Sequence, residues 1–240
     1  MDSGTILFIA LAIFAGAFVQ GISGLGFPLV VAPVVTQIVP GTGAVGLVNA
    51  LSIVQNLWLI ARTRGAVAWH VLLRMTPGLA LGIVLGWAIL QVLDEEYFPV
   101  VVAVSATASV AWLLLGKRLN GLVVDTVSST WGGTVNTIAG VGGPPIASFL
   151  VTRGLTFSSY VRTLQVTFAV IDVISLPILG VYAPSFAAIS AWILVLLIGS
   201  IVGELFRRRL SEGQAQTLGK SVIIVVCVVA LVRSLVTIVQ

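Results

Sequence analysis

The chain has 240 residues, 58% of them hydrophobic and only 8% charged, with a formal net charge of +4. A soluble domain of this length covers itself with roughly a quarter charged residues, so a water-soluble globule is excluded. The basic excess sits in short joints between apolar runs, where it sets topology and leaves no nucleic-acid footprint.

In chain order, the first apolar region is 5–39, and its apolar start (Thr5 to Val19) leads into the fold without a signal-peptide cleavage site. The run Gly21-Ile22-Ser23-Gly24-Leu25-Gly26-Phe27-Pro28 interrupts it, so it does not read as one helix. Glycines followed by proline stop one helix and start another, because proline is preorganised for a first helical turn. Full spans of about 20 apolar residues are expected near 44–62, 71–93 and 97–115. A second broken region, 123–151, carries Gly140-Val141-Gly142-Gly143-Pro144-Pro145, and further spans follow near 160–180, 184–203 and 219–239. Irregular backbone inside a membrane is tolerated only where protein or a watery cavity covers it. The fold class is therefore an all-α polytopic membrane protein, one integral domain, expected as a multi-pass protein of the cell inner membrane with the lipid bilayer as its surroundings.

Basic residues then orient the spans. With Arg62, Arg64, Arg74, Lys117, Arg118 and Arg207 to Arg209 on the cytoplasmic side, Asp94-Glu95-Glu96 falls outside. Region 123–151 must start and end inside, and region 5–39 must start and end outside, each as a re-entrant hairpin. Eleven of the twelve Lys and Arg residues then lie inside, Arg233 being the exception. Two full crossings in place of the hairpins leave the later loops with fewer charges inside.

Sliding the chain on itself by 116 residues puts Gln20 on Asn136, Gly24 on Gly140, Gly26 on Gly142 and Pro28 on Pro144. The same shift puts Asn49 on Gln165, Asn56 on Asp172 and Gly16 on Gly132. Each half, 1–118 and 119–240, is a hairpin followed by three spans. Three is odd, so the halves are expected to be two inverted four-element repeats. Inverted repeats with broken helices are a hallmark of secondary transporters, with substrate held where the breaks meet.

Helices restarting at Pro28 and Pro144 point an N-terminus into the protein, where free N–H groups and the helix dipole favour an anion. Gly24, Gly26, Gly140, Gly142 and Gly143 let a ligand approach the backbone; alternatively they only let two hairpin tips pack together. Polar side chains within apolar runs are costly and mark functional positions. Gln20, Asn49, Asn136, Thr137 and Gln165 are candidates to bond a solute's oxygens, with interhelical bonding as the plainer role. Asp172 is the only acid well inside an apolar span, and a desolvated carboxyl group suits a proton carrier. Pairing with a basic residue or capping near Pro177 are its other roles. Arg162 lies about ten residues earlier, near the cytoplasmic end, where it could attract anions at the inner mouth, although topology alone accounts for an arginine there.

Cys227 is the single cysteine and sits in an apolar run, so it allows no intrachain disulfide and no metal cluster. The tryptophans fall mostly toward span ends, as interfacial belts do. No HExxH, paired catalytic carboxylates, Ser/His/Asp set, Walker loop or metal-ligand spacing is present, and Gly21-x-x-Gly24-x-Gly26 follows no strand. No enzyme activity, catalytic residue, metal or cofactor is expected.

The two glycine-rich runs, Gly21 to Pro28 and Gly140 to Pro145, each opening one half, resemble those of the sulfite exporter TauE/SafE family. Size, eight apolar regions and the duplicated motif extend the resemblance over essentially the whole chain. It implies a permease for sulfite, sulfonates, sulfoacetate or a related small organosulfur anion. The first motif has Phe27-Pro28 where the family more often has further glycine, so Phe27 would narrow that side of a cavity. The expected function is a secondary transporter of a small anionic substrate by alternating access, with Gln20, Gly24, Gly26, Phe27, Asn49, Asn136, Gly140, Gly142, Gly143 and Gln165 binding it and Asp172 coupling. A passive anion channel of the same architecture is the alternative. A membrane-embedded enzyme or assembly factor is the third class, and the chain leaves a homo-oligomer open.

Overall fold

Backbone polar groups in lipid must be satisfied within their own segment, which favours helices throughout. The computed structural model describes residues 2–115, 122–151 and 153–211, together with 214, 217, 221 and 225. These form α1 (Ser3–Ser23), α2 (Phe27–Val35), α3 (Gly43–Arg62), α4 (Trp69–Leu90), α5 (Phe98–Leu115), α6 (Leu122–Ala139), α7 (Gly143–Val151), α8 (Phe157–Leu179) and α9 (Phe186–Arg207). A short 3-10 turn at Glu95–Tyr97 precedes α5. Among the described residues, five helices (α1, α3, α4, α8 and α9) are long and apolar enough to cross a membrane. Leu11, Leu73, Val84, Leu194 and Leu205 point outward from them, as a lipid-facing surface requires. The chain is a multi-pass, all-helical membrane protein.

Local chemistry sets the helix ends. Thr156 and Ser185 cap α8 and α9, their side-chain oxygens accepting from Ser159 N (3.4 Å) and Ala188 N (3.3 Å). α1 and α6 both end on a left-handed glycine, Gly24 (φ 74°) and Gly140 (φ 70°). Only glycine adopts that conformation without strain. Their N–H groups close the last turns onto Gln20 O and Asn136 O, each at 2.8 Å. After two non-helical residues, α2 restarts with Pro28 in its first turn and α7 with Pro144 and Pro145. α9 runs to Arg207, four residues beyond the expected end at 203. The extra turn is held because Glu204 accepts from Trp58 Nε1 (2.8 Å) and pairs with Arg62 (3.3 Å). The expected span 219–239 lies, apart from residues 221 and 225, outside the described residues.

Two parallel helix pairs form the body. α1 lies along α9: Trp192 Nε1 donates to Ile6 O (3.2 Å), Gly199 faces Phe14 and Gly203 faces Phe18. α4 lies along α6, with Gly78 against Ser129, Gly82 against Gly133 and Gly86 against Thr137. Small residues four apart let the backbones touch. A Cβ would stand 2.4 Å from Phe18 O at Gly203 and 2.2 Å from Thr130 O at Gly82. Between the pairs, α3 and α8 run antiparallel, tied by Thr42 Oγ1 to Leu179 O (2.8 Å) at one end and Arg162 Nη1 to Thr63 O (3.0 Å) at the other.

The ends of the bundle differ in charge. At one end Gly41 faces Glu95, and Tyr182 N donates to Gly43 O (3.0 Å). The opposite end carries Arg62, Arg153, Arg207 and Arg208, with Arg153 paired to Asp125 in the first turn of α6. Region 5–39 leaves from and returns to the acidic end, and region 123–151 leaves from and returns to the arginine end. The arms are unequal: α1 has 21 residues against 9 in α2, and α6 has 18 against 9 in α7.

Candidate functional site: two helix breaks around a buried amide network

The breaks meet in the middle of the bundle. A Cβ at Gly143 would stand 2.5 Å from Leu25 Cδ1 and 3.4 Å from Phe168, which sits halfway along α8. A narrow cavity of about 10 Å³, room for about one water in this state, runs between them. Leu25, Pro28 and Leu29 wall it from the first break, Gly140, Val141 and Gly143 from the second, and Gln20, Asn56, Asn136 and Asp172 supply its polar surface.

Those polar groups form one connected chain of hydrogen bonds. Gln165 Nε2 donates to Gly24 O (2.7 Å), and Gln20 Nε2 donates to Gln165 Oε1 (3.0 Å) and Asn56 Oδ1 (3.2 Å). Asn56 Nδ2 donates to Asp172 Oδ2 (3.1 Å), and Asn136 Nδ2 donates to Asp172 Oδ1 (2.9 Å). Gln20 Oε1 accepts from Phe27 N (2.9 Å) and so caps α2 from the last turn of α1. All five side chains are at most 2% exposed. Buried polar groups are tolerated in such a place only when bonded, and this network satisfies them mutually.

The expected site residues separate into distinct settings. Gln20, Asn136, Gln165 and Asp172 come together, with Gly24 bonded to Gln165 and Gly140 and Gly143 at the cavity wall. Gly26 caps α2, its carbonyl accepting from Val30 N (3.1 Å). Gly142 faces away into its own hairpin, where a Cβ would stand 2.1 Å from Gly132 O. The ring of Phe27 likewise turns back onto Gly16 of α1, and Leu25, Pro28 and Leu29 line the cavity in its place. Asn49 is fully buried beside Gly140, outside the network, with neither amide atom bonded. Thr137 Oγ1 pairs with Ser175 Oγ (3.3 Å) between α6 and α8.

Asn56 completes the network without having been singled out as a binding residue. Its signal was its coincidence with Asp172 under the 116-residue shift, and the two are directly bonded. A second feature that the sequence does not announce is a vestibule at the arginine end, of about 280 Å³. Arg62, Glu204, Arg207 and Arg208 stand at its mouth, and Gln20 and Gly24 form its floor. The Arg207 guanidinium lies 3.7 Å from the centroid of Phe157. Gln20 thus borders both the vestibule and the inner cavity.

Removing the Gln20 amide would strand Phe27 N, Asn56 Oδ1 and Gln165 Oε1. Each unpaired buried group costs about 1–3 kcal/mol. Gln20→Leu should therefore lower the melting temperature of the detergent-purified protein by about 5 °C or more. An unchanged melting temperature would mean that the network contributes nothing to stability.

No curated protein and no solved structure matches the chain. The family model described as "Sulfite exporter TauE/SafE" matches residues 8–233, which takes in every helix described above but the start of α1. By that match, with its several membrane-crossing helices, the chain belongs to the sulfite exporter TauE/SafE family of membrane transport proteins.

Proposed function

We propose that this protein is a secondary transporter of a small sulfur oxyanion or organosulfur anion, such as sulfite, a sulfonate or sulfoacetate, working by alternating access in the cell inner membrane. The observation that carries this reading is the cavity where the two breaks face each other, walled by the first turns of two restarting helices and by side-chain amides. Helix N-termini favour anions. Prolines at 28, 144 and 145 withdraw backbone donors, and Phe27 N is already taken by Gln20. Both Gln20 amide hydrogens are spent on Gln165 and Asn56, whereas Asn56 and Asn136 each use one of two on Asp172. The second hydrogens of Asn56 and Asn136, with Gly143 N, are therefore the groups that would hold the anionic head, and Gln20 orients them. Their arrangement at matching places in both breaks supports two inverted repeats, 1–118 and 119–240. With the arginine end cytoplasmic, the vestibule makes this the inward-facing state, and Gln20 is the last residue between vestibule and cavity.

Asp172 lines the same cavity. A carboxylate and an oxyanion about 4 Å apart repel by roughly 4 kcal/mol at an effective dielectric of 20. The anion therefore enters together with a proton on Asp172, and flux is coupled to protons. A passive anion channel of the same architecture would lack that coupling.

The test is flux of sulfite, sulfoacetate, taurine, isethionate, sulfate and acetate into proteoliposomes, with wild type beside Gly143→Val. The nearest neighbours of a Cβ at this position are the flexible tip of Leu25 and the Phe168 ring, with no backbone among them, so the fold should survive while the cavity fills. The expected result is saturable flux of one sulfur anion, stimulated by a proton gradient and reduced at least tenfold in Gly143→Val. Saturable flux that Gly143→Val leaves intact would move the site away from the breaks. Absence of flux for every sulfur anion would sink the substrate class.

A further inference from the structure

The two breaks share a left-handed glycine, Gly24 and Gly140, but differ in how their carbonyl ends are satisfied. The C-terminal end of a helix leaves carbonyl groups without intrahelical partners and carries the negative pole of the dipole. At the first break, two side chains supply donors to that end. Ser23 Oγ has one hydrogen to give to Val19 O (2.9 Å) or Leu25 O (2.5 Å), and Gln165 Nε2 reaches Gly24 O at 2.7 Å.

At the second break both donors are gone. Ala139 stands just before Gly140, as Ser23 does before Gly24, and has no hydroxyl. Asn49 stands against Gly140 as Gln165 stands against Gly24, but it is one methylene shorter. Its Oδ1 lies 2.7 Å from where a Gly140 Cβ would be, the side chain is 0% exposed, and both amide atoms are unpartnered. Ser52, one turn further along the same face of α3, is 1% exposed with an unpartnered hydroxyl. Orphaned buried polar groups of this kind cost stability unless a ligand or water partners them.

We propose that the second break is a binding site for a monovalent alkali cation, held by Asn49 Oδ1, Ser52 Oγ and the terminal carbonyls of α6. Helix C-termini with unwound carbonyls are where membrane transporters hold such ions. The neighbouring charge agrees in sign, because Asn136 in the last turn of α6 is bonded to the Asp172 carboxyl. Divalent and transition metals fit poorly: among the described residues no group of three His, Cys, Asp or Glu side chains comes together. Amide and hydroxyl oxygens without a carboxylate in direct contact suit a singly charged hard cation. The first break cannot serve, because Gln165 and Ser23 already occupy the positions that the ion takes at the second.

This site goes beyond the anion reading and does not depend on it, so it is tested without any sulfur anion. The detergent-purified protein is melted in lithium, sodium, potassium and N-methylglucamine gluconate at equal ionic strength. The wild type should show a saturable rise of about 5 °C with one alkali ion at roughly 100 times its dissociation constant. Asn49→Gln should remove the response, since the longer amide reaches the Gly140 carbonyl as Gln165 reaches Gly24. Ala139→Ser, which returns the missing hydroxyl, should weaken or abolish it, and decides alone if Asn49→Gln fails to fold. A melting temperature indifferent to every alkali ion would mean that water fills the gap and would overturn the proposal. So would a cation response that both variants retain.

Discussion

Asp172→Asn should leave a folded protein that still exchanges anion but can no longer accumulate it against a gradient. The two carboxyl oxygens accept from Asn56 and Asn136, and the asparagine oxygen can still accept from one of them. The other amide, from Asn136, has its own oxygen to turn toward the new NH₂ group. No proton can then be carried, and no negative charge opposes the anion. In wild-type proteoliposomes a one-unit pH gradient, acid outside, should sustain up to about tenfold accumulation of a monoanion, because one unit is worth about 1.4 kcal/mol. In the variant the internal concentration should only reach the external one, while counterflow of labelled substrate continues. Accumulation that survives Asp172→Asn would rule out this residue as the proton carrier. Loss of both accumulation and counterflow would assign Asp172 to anion binding or to the fold instead.

Gly46→Ala should be the most damaging single methyl among the described glycines. Gly46 sits in the second turn of α3, and a Cβ there would stand 1.6 Å from Gly180 O and 2.8 Å from its carbonyl carbon. Both partners are backbone, and Gly180 is itself held at φ 66° at the end of α8. Overpacking by a methylene costs about 1–3 kcal/mol where side chains can shift. Here α3 must move off α8, so a loss of about 3 kcal/mol or more is expected, near 10 °C in melting temperature. Leu57→Ala on the same helix removes a side chain that is 56% exposed and should shift the melting temperature by little. Equal effects from the two substitutions would show that the α3–α8 contact is far looser than described.

Much of this arrangement was legible because its signals are local. Glycine clusters followed by proline stop and restart helices whatever surrounds them, so both breaks could be placed to within a few residues. The polar residues recurring at 116 positions were equally visible, since amides are rare in apolar spans. What a glycine faces was not legible. Gly142 and Gly143 are adjacent, yet one packs against Gly132 and the other faces the cavity, a difference fixed by the direction of each Cα–H bond. Phe27 was expected to narrow the cavity, but Gly16 leaves room for its ring on the opposite side. The vestibule was hidden for a different reason: it is bounded by side chains from α1, α3, α8 and α9, which only tertiary packing assembles. The lone state of Asn49 was hidden too, because it turns on one methylene of reach relative to Gln165.

The parallel seam between α1 and α9 has a consequence for how the protein is made. Ile6 and Trp192, bonded across it, are 186 residues apart in the chain. At about 5–20 residues per second, roughly 10–40 s of synthesis separate the two ends of that contact. Throughout that interval α1 is already in the bilayer with its Phe14 and Phe18 carbonyls uncovered by Gly199 and Gly203. Its Gln20 must also wait for Gln165. α1 thus leaves the ribosome well before the partner that covers it, and a ribosome stalled before α9 would strand it in lipid as a target for membrane proteases.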